Sequence, residues 1–70
     1  MSAASKVIVD VRKLRLSLRM SQSEFAENFK FNIQTLRKWE QGRRQPDEAA
    51  CAFLMVISRS PEAVMKALAA

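Results

Sequence analysis

The sequence predicts a compact all-α domain of five short helices, and three observations support this fold class. The chain has 70 residues, about half of them apolar, with one Gly and two Pro. Apolar side chains recur at helical spacing, and capping residues stand before several of these stretches. Seventy residues suffice for one domain with a core of marginal size, so a dimer partner would add useful burial.

The first predicted helix follows a lead-in of small residues, Met1 to Ser5, which we expect to be mobile. We expect the helix to begin near Lys6, so that the folded domain spans residues 6–70. Its apolar stripe consists of Val7, Val11, Leu14 and Leu18. A short strand is the alternative, because β-branched residues alternate from Val7 to Val11.

Two short helices joined by a tight turn follow. Ser21 and Glu24 form the capping-box pattern before a second helix, about Gln22 to Phe29. Asn32 can cap a third helix, about Ile33 to Gln41. The inward side chains of this unit are Phe25, Ala26, Phe29, Phe31, Leu36 and Trp39. Since Ala26 is small enough for two helices to cross closely, the pattern predicts a helix-turn-helix at helices 2 and 3.

The remaining chain predicts two further helices. Gly42 is suited to ending the third helix in a left-handed conformation. Pro46 and Asp47 introduce a fourth helix that ends near Ile57. Pro61 occupies a favoured first position for a fifth, short helix that ends near the chain terminus.

Helix four is apolar nearly all round, which is unusual for a helix on the surface of a monomer. Its inward face consists of Ala50, Phe53, Leu54 and Ile57. We expect a second subunit to cover three of its other residues, Ala52, Met55 and Val56. An equally good alternative is that Val64 and Leu68 of the last helix cover this surface.

Basic residues are concentrated near helix three. The chain has 12 Lys and Arg against 7 acidic residues and no His, a net charge of +5. The excess lies in residues 12–19 and 30–44, whereas residues 45–70 are nearly balanced. This distribution favours a surface that faces nucleic-acid phosphates. A solvated helix face is the alternative meaning of such charges.

Two segments of the chain resemble the Cro-type, lambda-repressor-like helix-turn-helix family. Residues 14–22 are similar to the first-helix signature of that family, and residues 36–46 are similar to its recognition helix and the Gly/basic/Pro loop that follows. The resemblance covers about residues 7 to 57. Residues 37–46 and 60–68 are most similar to HigA-like antitoxin regulators. Lys30 stands where this family usually has Gly in a left-handed conformation, which costs a residue with a Cβ about 1 kcal/mol.

The resemblance also implies roles for particular side chains. Arg15 and Glu40 match an ion pair that joins helix one to the recognition helix. The residues expected at DNA bases are Ile33, Gln34, Lys38 and Arg37, with the backbone preferred for Arg37. The residues expected at phosphates are Gln22, Gln41, Arg43 and Arg44.

These features predict a sequence-specific regulator of transcription that binds double-stranded DNA. We expect a homodimeric repressor on a palindromic operator, and more specifically the autoregulating antitoxin of a toxin–antitoxin pair or its DNA-binding half. The alternative is a protein-interaction module that uses helix four and binds little DNA.

Other functional classes have little support in the sequence. No catalytic constellation, metal-ligand cluster or cofactor loop is recognisable, so we expect no enzyme activity, metal or cofactor. The one cysteine, Cys51, is interpreted as a small core residue. The longest apolar run, Ala49 to Ile57, is too short to span a bilayer, and we expect a cytoplasmic protein without a membrane partner.

Overall fold

The computed structural model describes residues 9–69, which form five α-helices and no strand. The helices are α1 Val11–Ser17, α2 Gln22–Phe29, α3 Ile33–Glu40, α4 Glu48–Arg59 and α5 Pro61–Ala69. The prediction of an all-α fold with five helices is therefore confirmed. The expected mobile lead-in, Met1 to Ser5, lies outside the described residues.

The start of α1 differs from the sequence prediction. A start near Lys6 was expected, yet the helix begins at Val11, and Val9 and Asp10 are not helical. The reason is a cap: Asp10 Oδ1 accepts a hydrogen bond of 2.9 Å from the backbone N–H of Lys13. The alternative of a strand from Val7 to Val11 does not hold at Val11, which is the first residue of the helix, while Val7 and Ile8 lie outside the described residues.

The first three helices all end in the same left-handed geometry. The residues with positive φ are Arg19 at 59°, Lys30 at 63° and Gly42 at 75°. The next residue then donates its backbone N–H to a carbonyl five residues earlier, from Met20 to Arg15 (3.3 Å), Phe31 to Ala26 (2.9 Å) and Arg43 to Lys38 (2.9 Å). These bonds are those of the Schellman motif. The turn between α2 and α3 is therefore tight although its left-handed residue, Lys30, carries a Cβ.

The core lies where α2 meets α3 and α5, with α1 packed against α3 and α4 against α5. Its buried side chains are Val11, Leu14, Phe25, Ala26, Phe29, Leu36, Leu54 and Ile57. Two members of the predicted inward set, Phe31 and Trp39, are half-buried against this core. The Phe31 ring centre lies 5.3 Å from that of Trp39 and 5.3 Å from that of Phe53, so these rings connect α3 to α4.

The outer side of α4 remains uncovered within residues 9–69. Ala52 is exposed, and Val56 keeps 52% of its surface accessible. α5 packs against α4, but Val64 contacts the core rather than covering these two residues. The alternative in which α5 covers this surface therefore does not hold for Ala52 and Val56.

Candidate nucleic-acid interface

Side-chain caps fix the starts of both helices of the helix-turn-helix. Ser21 Oγ accepts from the backbone N–H of Glu24 at 3.0 Å, and Glu24 Oε1 accepts from the Ser21 N–H at 2.8 Å. Asn32 Oδ1 accepts from the backbone N–H groups of Gln34 and Thr35 at 2.8 and 3.1 Å. The capping residues expected from the sequence therefore occupy their positions.

The outer face of α3 is polar and basic. Gln34, Arg37, Lys38 and Gln41 are all exposed, and their spacing places them on one side of the helix. Leu36, on the opposite side, is fully buried. α3 therefore presents amide and cationic groups outward while its apolar side holds it in the core.

Ile33 occupies an intermediate position at the start of α3. Its side chain is half-buried and packs against the core. Only part of it is therefore accessible to a ligand, whereas the side chains of Gln34 and Lys38 are exposed. The sequence pattern had indicated a more outward side chain than the packing gives.

The loop after α3 continues the basic surface. Arg43 and Arg44 are exposed there, and residues 41–46 contain no acidic side chain. With Arg37 and Lys38, these arginines place four cations near the end of α3. Such a cluster attracts polyanions because the positive potentials of neighbouring cations add at the same surface.

An ion pair joins α1 to the end of α3. Arg15 Nε donates to Glu40 Oε2 at 2.7 Å, and Arg15 Nη2 donates to Glu40 Oε1 at 2.9 Å. Arg15 Nη1 also donates to the carbonyl of Met20 at 2.9 Å. The side chains of Arg15 and Glu40 are only 11% and 5% exposed. The guanidinium therefore holds the carboxylate in a largely dry, two-pronged contact.

Gln22 extends this contact to α2. Its Nε2 donates to Glu40 Oε1 at 3.2 Å, while its Oε1 accepts from Arg37 Nε at 3.4 Å. α1, α2 and α3 are thus connected through four side chains, which we call the Glu40 network: Arg15, Gln22, Arg37 and Glu40. Sequence reasoning missed the role of Gln22 here, because residues 18 positions apart leave no local pattern.

The contact between Arg15 and Glu40 favours the charged forms of these two side chains. Hydrogen bonding from Arg15 is the main cause that lowers the pKa of Glu40 below its usual value, against an opposing effect of burial; Gln22 adds to the lowering. The same bond raises the pKa of Arg15. Both side chains are therefore charged at neutral pH, and the carboxylate is compensated where water has little access.

Other kinds of site find no support in residues 9–69. No group of three or more His, Cys, Asp or Glu side chains is arranged to hold a metal ion in this part of the chain. No helix among these residues is long and apolar enough to cross a membrane. Cys51 was interpreted as a core residue, but it is half-buried and is not among the core side chains, so that interpretation is wrong; its Sγ lies 3.5 Å from the carbonyl oxygen of Pro46.

Comparison with known proteins agrees with this geometry. A model of the helix-turn-helix family matches residues 11–54. Antitoxin HigA-2 of Vibrio cholerae is 34% identical over 53 residues, which are 76% of this chain and 51% of that protein. The chain thus spans about half the length of this curated relative.

The fold of this chain is similar to that of a solved structure. The crystal structure of a helix-turn-helix, XRE-family-like protein from Agrobacterium tumefaciens matches with a TM-score of 0.84 and 39% identity. The match covers 84% of this chain and 95% of that one. The family is one of DNA-binding regulators and not of enzymes. Together with the polar face of α3 and the caps that position it, these matches show that the chain belongs to the XRE-type helix-turn-helix family.

Proposed function

We propose that this protein is a sequence-specific transcriptional repressor that inserts α3 into the major groove of double-stranded DNA. The observation that carries the proposal is the exposed amide-rich, basic face of α3, held against α1 and α2 by the Glu40 network. A recognition helix must present its side chains at a fixed angle, and a largely buried ion pair restricts that angle.

Four residues of α3 are proposed to face the major groove, and three of them, Ile33, Gln34 and Lys38, to meet the bases. Gln34 can bond to N6 and N7 of adenine, and Lys38 can reach O6 and N7 of guanine. Ile33 can pack its accessible part on a thymine methyl group. Arg37 is better suited to a contact with the DNA backbone, because its Nε already donates to Gln22 at the start of α2.

Phosphates are proposed to bind on both sides of this helix. Gln22 lies in the first turn of α2, where helix geometry leaves backbone N–H groups without acceptors inside the helix. Gln41, Arg43 and Arg44 follow the recognition helix and are exposed. These contacts set the register and much of the affinity but carry little sequence information.

The proposed active form is a homodimer on a palindromic operator. Two copies of α3 would enter successive major-groove faces about 34 Å apart. Three residues of α4 are proposed to contribute to the subunit contact: Ala52 and Val56, which are exposed, and Met55, which is half-buried. Binding over a promoter would block transcription.

A role as an autoregulating antitoxin, or as the DNA-binding half of one, is the more specific proposal. Its support is the 34% identity to Antitoxin HigA-2. Because the chain spans 51% of that relative, a toxin partner is itself a proposal. Its test is co-purification of the chain with the product of the adjacent gene, which a regulator without a toxin would not retain.

Fluorescence anisotropy in a salt series tests the DNA-binding proposal. The probes are duplex DNA from upstream of the protein's own gene and a scrambled duplex of equal length and composition. We expect a preference for the upstream duplex by several kcal/mol at physiological salt. Equal, steeply salt-dependent binding to both duplexes would contradict sequence-specific autoregulation, since only the phosphate term would remain.

Variants of α3 separate DNA recognition from the alternative of a protein-interaction module. Gln34→Ala and Lys38→Ala should each reduce the preference for the upstream duplex by about 1–3 kcal/mol. Lys66→Ala, which removes the same charge from an exposed site on α5, is the matched control and should leave the preference unchanged. An interaction module would tolerate all three substitutions alike.

A further inference from the structure

The side of α4 that faces away from the core carries one charged residue at each end and apolar residues between them. Leu54 and Ile57 are fully buried, and the helical period places six residues on the opposite side. This outer face consists of Glu48, Cys51, Ala52, Met55, Val56 and Arg59. Its middle is apolar, and it carries one acidic residue at its first position and one basic residue at its last.

We propose that the outer face of α4 binds the same face of a second copy in antiparallel orientation. The two-fold axis passes midway between Phe53 and Leu54. This inference rests on the homodimer of the proposed function and adds its partner surface, its orientation and its register. Isologous contacts of this kind repeat every pair twice.

Charge complementarity supports this orientation. In the antiparallel register, Glu48 lies opposite the partner's Arg59, and Arg59 lies opposite the partner's Glu48. A parallel pair would instead bring like charges together at both ends. Since the chain carries a net charge of +5, two copies repel each other overall, and a contact between them needs local pairs of opposite sign.

The shapes of the apolar side chains fit the same register. Ala52 lies opposite the partner's Met55, and Val56 lies beside the partner's Ala52 on the same flank of the contact. Each small side chain thus meets a larger one, which allows the two helices to approach and interdigitate. Val56 is 52% exposed and therefore has apolar surface to lose in such a contact, whereas Met55 is half-buried.

The area involved predicts a weak contact. Stable interfaces bury about 800 Å² on each partner, more than one face of a 12-residue helix provides. We therefore expect a dimer that dissociates readily in solution and becomes stable when two copies bind adjacent half-sites on DNA. Sedimentation must accordingly extend to high protein concentration, in reductant so that Cys51 forms no covalent dimer.

Charge reversal tests the proposal. Glu48→Lys and Arg59→Glu each convert two attractive pairs into two repulsive ones, and we expect each to raise the dimer Kd at least roughly tenfold. Glu62→Lys and Lys66→Glu make the same charge changes at exposed sites on α5 and are the matched controls. Equal effects of the α4 variants and these controls would overturn the pairing.

Mixing the two single variants excludes a folding defect as the cause. A Glu48→Lys chain and an Arg59→Glu chain have complementary faces, so an equimolar mixture should recover dimerisation at the wild-type Kd or a lower one. The double variant should also dimerise again. Glu48 and Arg59 also interact favourably with the dipole of α4, and the double variant reverses both interactions. It should therefore unfold at a lower temperature than the wild type although it dimerises. Failure of both the mixture and the double variant to recover would overturn the pairing.

Anisotropy on the upstream duplex distinguishes this proposal from the proposed function. If the chain keeps its preference for the upstream duplex but shows no self-association that depends on α4, the α4 interface is overturned and the proposed function is not. Self-association that follows the charge rules, without any preference for the upstream duplex, supports the interface and overturns the operator proposal.

Discussion

Arg15 of α1 donates to both carboxylate oxygens of Glu40 at the end of α3, at 2.7 and 2.9 Å. The same carboxylate accepts from Gln22 of α2 at 3.2 Å. The carboxylate of Glu40 therefore accepts from side chains of both α1 and α2 and connects these two helices to α3. Such a pair fixes geometry more than it adds net stability, because both charges lose water on burial.

Removal of Arg15 should be costly. Arg15→Ala leaves the carboxylate of Glu40 mostly buried with Gln22 as its remaining side-chain donor, and we expect a loss of about 2 kcal/mol in the free energy of unfolding. DNA affinity should fall as well, since α3 loses its anchor to α1. Urea denaturation and anisotropy measure the two effects.

The matched control for that variant is Arg12→Ala, an exposed arginine on the same helix. It should change the free energy of unfolding by less than about 0.5 kcal/mol. If Arg15→Ala left both stability and DNA affinity like those of Arg12→Ala, the ion pair would have no role in presenting α3.

Acidification should weaken the fold through Glu40. Its pKa in the folded protein is below the usual 4.5, chiefly because of the bonds from Arg15. The stabilisation is therefore fully present above the unfolded-state pKa and is lost as the pH falls through the lower folded-state pKa. Glu40→Gln removes this titration, so the free energy of unfolding of the variant should fall less between about pH 5 and pH 3 than that of the wild type.

Urea unfolding at a series of pH values measures this difference. Glu27→Gln, on the exposed side of α2, is the control and should follow the wild-type curve. Wild-type and Glu40→Gln curves that run parallel through the acid range would show that the ion pair is not coupled to folding.

Local chemistry explains which elements the sequence could predict. α2 and α3 begin at Ser21 and Asn32 because a side chain close in sequence satisfies backbone N–H groups, and that signal is visible in the residues themselves. The same rule would have located the start of α1 at Asp10. The apolar stripe obscured it, since Val7 fits a longer helix equally well by periodicity.

Contacts between helices were less accessible to such reasoning. The bond from Gln22 to Glu40 depends on how α2 crosses α3, which no local pattern specifies. The half-burial of Ile33 likewise follows from its packing against the core and not from its place in the helix. By contrast, the contact of Arg15 with Glu40 was anticipated only through family resemblance.

Gln22 and Arg37 should act on DNA as a coupled pair. Gln22 Oε1 accepts a hydrogen bond from Arg37 Nε, so each side chain restricts the orientation of the other. We expect Gln22→Ala and Arg37→Ala to lower affinity for upstream and scrambled duplexes by similar factors, because backbone contacts carry little sequence information. The double variant should lose about 1 kcal/mol less than the two single losses added together. Strict additivity would mean that the two side chains act independently.

Lys30 offers a test of backbone strain at the turn between α2 and α3. Its φ of 63° lies in the left-handed region, where a Cβ costs about 1 kcal/mol, and its side chain is exposed. Lys30→Gly should therefore raise the melting temperature by roughly 4–8 °C. Lys30→Ala is the matched control, because it removes the same charge and long side chain but keeps the Cβ; it should melt near the wild type. Equal melting temperatures for the Gly and Ala variants would mean that the left-handed Lys30 is not strained, and that the Phe31-to-Ala26 bond fixes this turn at no cost to the side chain.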